Sequence, residues 1–153
     1  MSVRPLSHRY ALAGASGLVG HALARQLAAD RDCTELHLLL RRPLPALEAL
    51  PQAHAVAWAS CAMPELPRVD AAICALGTTM AAAGSQAAFR AVDYDAVLAF
   101  AQAARRAGAK RFGLVSGTID TEAFRTLAAG FRTIAWRIYS DLLARLDQHD
   151  AAD

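Results

Sequence analysis

The chain has 153 residues, long enough for one domain with its own core and too short for a nucleotide domain plus a separate substrate domain. It is 55% hydrophobic and 20% charged with a formal net charge of +2, a globular composition whose small positive balance argues against nucleic acid or an anionic membrane as partner. Cys33, Cys61 and Cys74 show neither C-x-x-C nor metal-ligand spacing, Met1 to Arg9 holds no export core, and no apolar run nears the roughly 18 residues of a membrane span, so a cytoplasmic protein with reduced thiols is expected.

The apolar run Tyr10-Ala11-Leu12-Ala13 breaks into Gly14, Gly17 and Gly20 and then continues at helical spacing through Leu18, Val19, Ala22, Leu23, Gln26 and Leu27. This is a strand, a tight turn and a helix start. A glycine-spaced turn there lets the backbone approach a pyrophosphate while the first N–H groups of the helix face the negative charge. Gly14 is expected to make the turn, Gly17 to admit the phosphate and Gly20 to let the helix lie against the sheet. Ser16, Leu18 and Val19 complete the expected cofactor contact. The plain alternative is a β-to-α turn that binds nothing.

Glu35 to Leu40 reads as a buried strand ending in Arg41-Arg42-Pro43, at the distance past the glycines where an adenine ribose is contacted. An acidic side chain there would accept from the ribose 2′-hydroxyl, whereas arginine can fork onto a 2′-phosphate. Arg41 and Arg42 therefore favour NADP over NAD, unless they simply open a solvated loop.

A short helix around Ala46 to Leu50 and a third strand, His54 to Trp58, follow. After the proline-bearing loop Cys61 to Pro67, Val69 to Leu76 forms a fourth strand that leaves through Gly77-Thr78-Thr79. In a doubly wound sheet this exit lies beside the glycine turn, so Leu76 and Gly77 would pass close to a cofactor and Thr78 would bond ribose or phosphate. The alternative is a Gly-Thr turn without a ligand. A long helix, Ala87 to Ala107, carries Phe89, Val92, Ala96, Phe100 and Ala104 on one stripe and stops at Gly108. Lys110 to Ser116 is the fifth strand. This β-α-β alternation predicts an α/β fold, a doubly wound parallel sheet of five to six strands with flanking helices. His21 opens the first helix and reads as solvated, with phosphate contact the sharper alternative. His8, His37, His54 and His149 have no ligand spacing, and no metal is assigned.

With these segments in place, the sequence resembles the atypical short-chain dehydrogenase/reductase group of Rossmann NAD(P)H-binding proteins related to nucleoside-diphosphate-sugar epimerases. The similar stretches are Ala13 to Gly20, Arg41-Arg42, Cys74 to Thr79, Ala83-Gly84-Ser85, and Val92-Asp93-Tyr94-Asp95 running into Gly108 to Phe112, spanning nearly all of residues 10 to 116. The resemblance implies NADP with its phosphates at Gly14 to Gly20, its adenosine phosphate near Arg41, and its nicotinamide near Thr78 and Ser116, the candidate catalytic serine. Asp93 would approach the active site, unless it is an ordinary helix-surface carboxylate.

The group's redox chemistry joins that serine to a Tyr-x-x-x-Lys pair, because a phenol of pKa about 10 needs a neighbouring ammonium to exchange protons near neutrality. No lysine follows Lys110, and the i+4 neighbour of Tyr139 is Leu143. Read against the group, the catalytic stretch looks excised between Gly117 and Glu122, with Thr133 to Arg137 resembling the next strand. A helix capped at Gly130 followed by a strand is preferred here, since a glycine inside a helix costs roughly 1 kcal/mol. One long helix through Phe124, Leu127, Phe131, Ile134 and Ile138 is the rival.

The expected organisation is one dinucleotide-binding domain over residues 1–153, with a core at 9–116 and a shortened segment at 118–153 that lacks the usual substrate-side elements. The expected function is an NADP(H)-binding oxidoreductase of the short-chain type with impaired or lost Tyr-Lys catalysis, acting on an unidentified small molecule if on any. The alternative is a non-catalytic NADP(H) sensor or scaffold working through a protein partner. An exposed sheet edge would favour a homo-oligomer.

Overall fold

The computed structural model describes residues 8–58, 62–76, 84–85 and 95–115, together with the backbone of Thr133–Ile134. The chain runs β1 (His8–Ala13), α1 (Leu18–Ala29), β2 (Cys33–Leu40), α2 (Pro45–Glu48), β3 (Ala53–Ala57), β4 (Ala71–Cys74), α3 (Val97–Arg106), β5 (Arg111–Leu114) and β6 (Thr133–Ile134). The strands form one parallel sheet in the order β3-β2-β1-β4-β5-β6. The order reverses between β1 and β4. At such a switch point two crossovers leave in opposite directions and open a crevice at the carboxyl edge.

A parallel sheet covered on both faces makes continuous apolar runs, and β2 obeys this, with Leu36 to Leu40 all buried. Period-two alternation divides its side chains between two cores. Leu36, Leu38 and Leu40 join Leu12 of β1, Ala24 of α1 and Leu47 of α2 on one face. Leu39 joins Ala11, Ala13, Ala72, Cys74, Phe112 and Leu114 on the other, under α3. There Phe100 of α3 meets Phe112 of β5 with centroids 6.0 Å apart, and the small Ala101 and Ala104 beside it are buried. Burial also pushes the Cys33 thiol up from its ordinary pKa, and Cys33 and Cys74 are both buried in the interior outside any disulfide, as core cysteines should be. Cys61 lies outside the described residues.

Helix α3 ends where glycine was expected to end it. Gly108 takes φ +96°, its N–H bonds to the Arg105 carbonyl at 3.1 Å, and the Ala109 N–H bonds to that of Ala104 at 3.0 Å. That paired closure satisfies two carbonyls that would otherwise face no donor. The expected start of this helix at Ala87, with Phe89, Val92, Asp93 and Tyr94, lies outside the described residues. The two backbone residues of β6 pair with Arg111 and Phe112, so over Thr133–Ile134 the chain is a strand and not a continuing helix.

At the amino edge of the sheet, Asp70 ties β4 to β1. Its carboxylate accepts from the Arg9 backbone N–H at 2.8 Å and from the Arg9 guanidinium at 3.1 Å through both oxygens. Those bonds hold the Asp70 carboxyl below the usual carboxylate range, against the opposing effect of burial. A depressed carboxylate contributes stability that is fully present above its unfolded value, about 3.9, and is lost as pH falls through the lower folded value. Asp70→Asn should therefore melt below the unaltered protein at pH 7, and the gap should close from about pH 4 downward. Both side chains are about a third exposed (30% and 35%), so the gap should also narrow with added salt. Melting curves across pH check this, and a gap that stays as wide in acid as at pH 7 would mean the pair is not its source.

Candidate dinucleotide-binding cleft

Three strand ends and one turn build a cleft of about 540 Å³ at the carboxyl edge of the sheet. The turn after β1 supplies Gly14, Ser16 and Gly17, and the end of β2 supplies Leu39, Leu40 and the loop Arg41 to Leu44. Trp58 comes from the end of β3, and Ala75 and Leu76 from the end of β4. Among the described residues the lining holds two guanidinium groups and no carboxylate, an arrangement that suits an anion.

The three glycines do different work. Gly14 has φ +87°, and a Cβ there would run into the Ala75 backbone, with the Leu76 nitrogen at 2.7 Å. Gly14 thus serves both the turn and the close passage of β4. Gly20 is buried, and a Cβ on it would overlap the Gly14 carbonyl and meet the Ala15 Cα at 3.0 Å. What Gly20 permits is contact between the helix start and the turn itself, rather than between helix and sheet. Gly17 has extended backbone (φ −78°, ψ 167°), and a Cβ on it would find only the Gly14 carbonyl, at an ordinary 3.6 Å. Folding alone does not require glycine at position 17.

Gly17 is also the N-cap of α1, and it offers no side-chain cap. The first turn of α1 carries no acidic residue. The early N–H groups of a helix are left without intrahelical acceptors and carry the positive end of its dipole, so an uncapped start at the mouth of a cleft suits phosphate oxygens. A pyrophosphate fits the donors and the space available here.

Of the residues expected to contact a cofactor, Gly14, Ser16, Gly17, Arg41, Arg42 and Leu76 line this one cleft. Leu18 and Val19 do not line it. They stand 91% and 50% exposed on the first turn of α1, an apolar pair facing solvent. Gly20 lies beneath the turn. Gly77, Thr78 and Ser116 lie outside the described residues, as do Tyr139 and Leu143. His21 accepts a hydrogen bond from Arg25 Nε one turn along α1, at 3.1 Å, which accords with the solvated reading.

Sequence reasoning missed Trp58 as part of a site and took it as the last residue of a strand. Its ring is 6% exposed and packs in the core, and the Arg41 guanidinium lies over it, 5.1 Å from the ring centroid. The signal was topological: with β3 beside β2, a residue leaving β3 must adjoin one leaving β2. The same register stacks His37 on His54, with centroids 5.3 Å apart. Among the described residues no three His, Cys, Asp or Glu side chains form a group that could hold a metal ion.

No family model matches the sequence. The chain is 36% identical over 116 residues to the protein named "Protein fmp52, mitochondrial" of Emericella nidulans, covering 71% of this chain and 50% of that protein. It is 33% identical over 120 residues to the FMP52 protein of Coccidioides immitis, covering 69% of this chain and 49% of that one. The chain thus spans about half the length of the curated relatives it matches. Among solved structures it superposes on MoeE5 in complex with UDP-glucose and NAD, with a TM-score of 0.62, 14% identity, and 82% and 52% of the two chains covered. It also superposes on the human epimerase family protein SDR39U1 with NADPH, with a TM-score of 0.53, 21% identity, and 82% and 49% covered.

The names of the curated relatives overturn the cytoplasmic expectation, because these two and the FMP52 protein of Chaetomium globosum, 30% identical over 107 residues, are all designated mitochondrial. An export core and a spanning run are the wrong tests for that compartment, since mitochondrial leaders are amphipathic and arginine-rich. Among the described residues no helix is long and apolar enough to cross a membrane. In strand order, crossover and glycine turn, the chain has the Rossmann fold of the NAD-dependent epimerase and short-chain dehydrogenase/reductase type of protein.

Proposed function

We propose that the protein binds NADP(H) in the cleft at the carboxyl edge, in preference to NAD(H). The pyrophosphate would lie over Gly17 and the start of α1, and the 2′-phosphate against the arginines that follow β2. One observation carries the reading: Arg41 and Arg42 line the same cleft as the glycine turn, in a lining that has no carboxylate among the described residues. Among the described residues no acidic side chain stands there to accept from a free 2′-hydroxyl, and two forked cations occupy its place. The cofactor, when bound, supplies hydride chemistry. This chain supplies the donors that hold and orient it.

Calorimetry with NADPH and NADH tests this. NADPH should bind more tightly, and Arg41→Glu should weaken NADPH at least on the order of ten- to a hundredfold, through one lost charge-assisted hydrogen bond and added repulsion of the 2′-phosphate. NADH should bind no more weakly, since the new carboxylate can accept from its free 2′-hydroxyl. Equal affinities in the unaltered protein would reject the preference. Arg41→Glu should also lower the salt dependence of NADPH binding.

For the reaction, we read the site as a holder of NADP(H) with impaired or absent Tyr-Lys proton transfer. In support, no lysine follows Lys110 and the i+4 neighbour of Tyr139 is Leu143, so the lysine that would stabilise a phenolate from the same helical face is absent from the Tyr139 segment. On this reading NADPH binds and no aldehyde or ketone in a broad panel is turned over, and action through a protein partner is the corollary. Steady NADPH oxidation that falls on Ser116→Ala would instead establish a reductase. A mitochondrial setting, as in the names of the relatives, is the compartment we adopt.

A further inference from the structure

We infer that Trp58 is the residue that makes the cleft selective for a 2′-phosphorylated cofactor, by seating the Arg41 guanidinium in position before any ligand arrives. The inference rests on the NADP reading above and deepens it. Two arginines follow β2, but they are not equivalent. Arg41 lies over the Trp58 ring at 5.1 Å from its centroid, whereas among the described residues Arg42 has no aromatic seat. Trp58 is itself fixed: its ring is buried with Leu39, Leu66 and Val69, and its backbone N–H bonds to the Leu40 carbonyl at 2.9 Å. The seat belongs to the sheet, not to a loop.

The physics favours this arrangement for a phosphate grip. An exposed arginine spreads over many rotamers, and binding must freeze them; a guanidinium already held over an indole has less freedom to lose. Attraction of the cation to the ring face leaves the N–H groups at the edge of the planar fork free to bond phosphate oxygens. Among the described residues the cation over the ring is the Arg41 guanidinium, so the effect attaches to Arg41 and through it to the extra phosphate. Trp58 is a positioning residue. NADH, lacking that phosphate, gains nothing from it.

The test measures NADPH and NADH affinities on the full chain for Trp58→Phe, Trp58→Leu, Arg41→Lys, Arg41→Ala and the double variant Trp58→Leu/Arg41→Ala. Trp58→Leu should lower the NADPH-to-NADH affinity ratio about two- to fivefold, and Trp58→Phe, which keeps a π face, should retain most of it. In the Arg41→Ala background, Trp58→Leu should leave the ratio unchanged. Arg41→Lys keeps the charge on an exposed side chain and loses the planar group, so it should lower the ratio with Trp58 intact, which serves should Trp58→Leu fail to fold. Equal weakening of both cofactors by Trp58→Leu, a fall in ratio that persists without Arg41, or an unchanged ratio in Arg41→Lys would each overturn the inference. An unaltered protein that binds NADPH and NADH alike would instead reject the NADP reading beneath it, and one that binds neither would reject the cleft as a dinucleotide site.

Discussion

Gly17→Val is expected to fold and to lose NADPH binding on the order of ten- to a hundredfold, the loss of one charge-assisted contact to the pyrophosphate. The two halves of this expectation come from separate observations. Folding survives because the Gly17 backbone is extended and its Cβ position is clear, with only the Gly14 carbonyl at 3.6 Å. Valine is a poorer N-cap than glycine, which costs about 1 kcal/mol and lowers the melting temperature by about 2–4 °C. Binding fails because the added branch stands over the uncapped start of α1, where phosphate oxygens would have to come. Melting curves and calorimetry on the same preparation separate the two. Undiminished NADPH affinity in a folded Gly17→Val protein would remove the pyrophosphate from this turn.

How far such a site can be read from sequence depends on whether its parts are local. The glycine turn is local: strand, three glycines and helix lie within about a dozen consecutive residues, and period and turn chemistry dictate the conformation. Strand order was also accessible, because a right-handed β-α-β crossover leaves few topologies open. Strand limits were less so. β4 was expected from Val69 to Leu76 but is a strand over Ala71–Cys74, and the Asp70 side chain just before it joins Arg9 across 61 residues of sequence. That ion pair depends on which two strands are neighbours, and no local spacing encodes it. Trp58 illustrates the same limit. Its alternation with Val56 and His54 fits a half-buried strand, and nothing near it in sequence points to Arg41, 17 positions earlier. Only the β2–β3 register brings indole and guanidinium together.

Gly20→Ala is the variant for which two physical effects predict opposite signs. In an exposed helix, replacing glycine by alanine stabilises by about 1 kcal/mol, since alanine loses less backbone entropy on ordering. At Gly20 the new methyl would overlap the Gly14 carbonyl and touch the Ala15 Cα at 3.0 Å. Both neighbours are backbone, held by the Gly17 N–H to the Gly14 carbonyl at 3.2 Å and by the passage of β4 behind the turn. A flexible side chain could move aside; this backbone can yield only by displacing α1 from the turn. Overpacking of that kind costs typically 1–3 kcal/mol and more where backbone must shift, which outweighs the propensity gain. The expected net loss is about 2 kcal/mol or more, a fall in melting temperature of at least about 4–8 °C for a chain of this size. Displacing α1 also carries its first N–H groups away from the cleft, so NADPH affinity should fall together with stability, unlike the separation expected at Gly17. A Gly20→Ala protein that melts higher than the unaltered one would show that helix and turn are not in the close contact on which the geometry of the cleft depends.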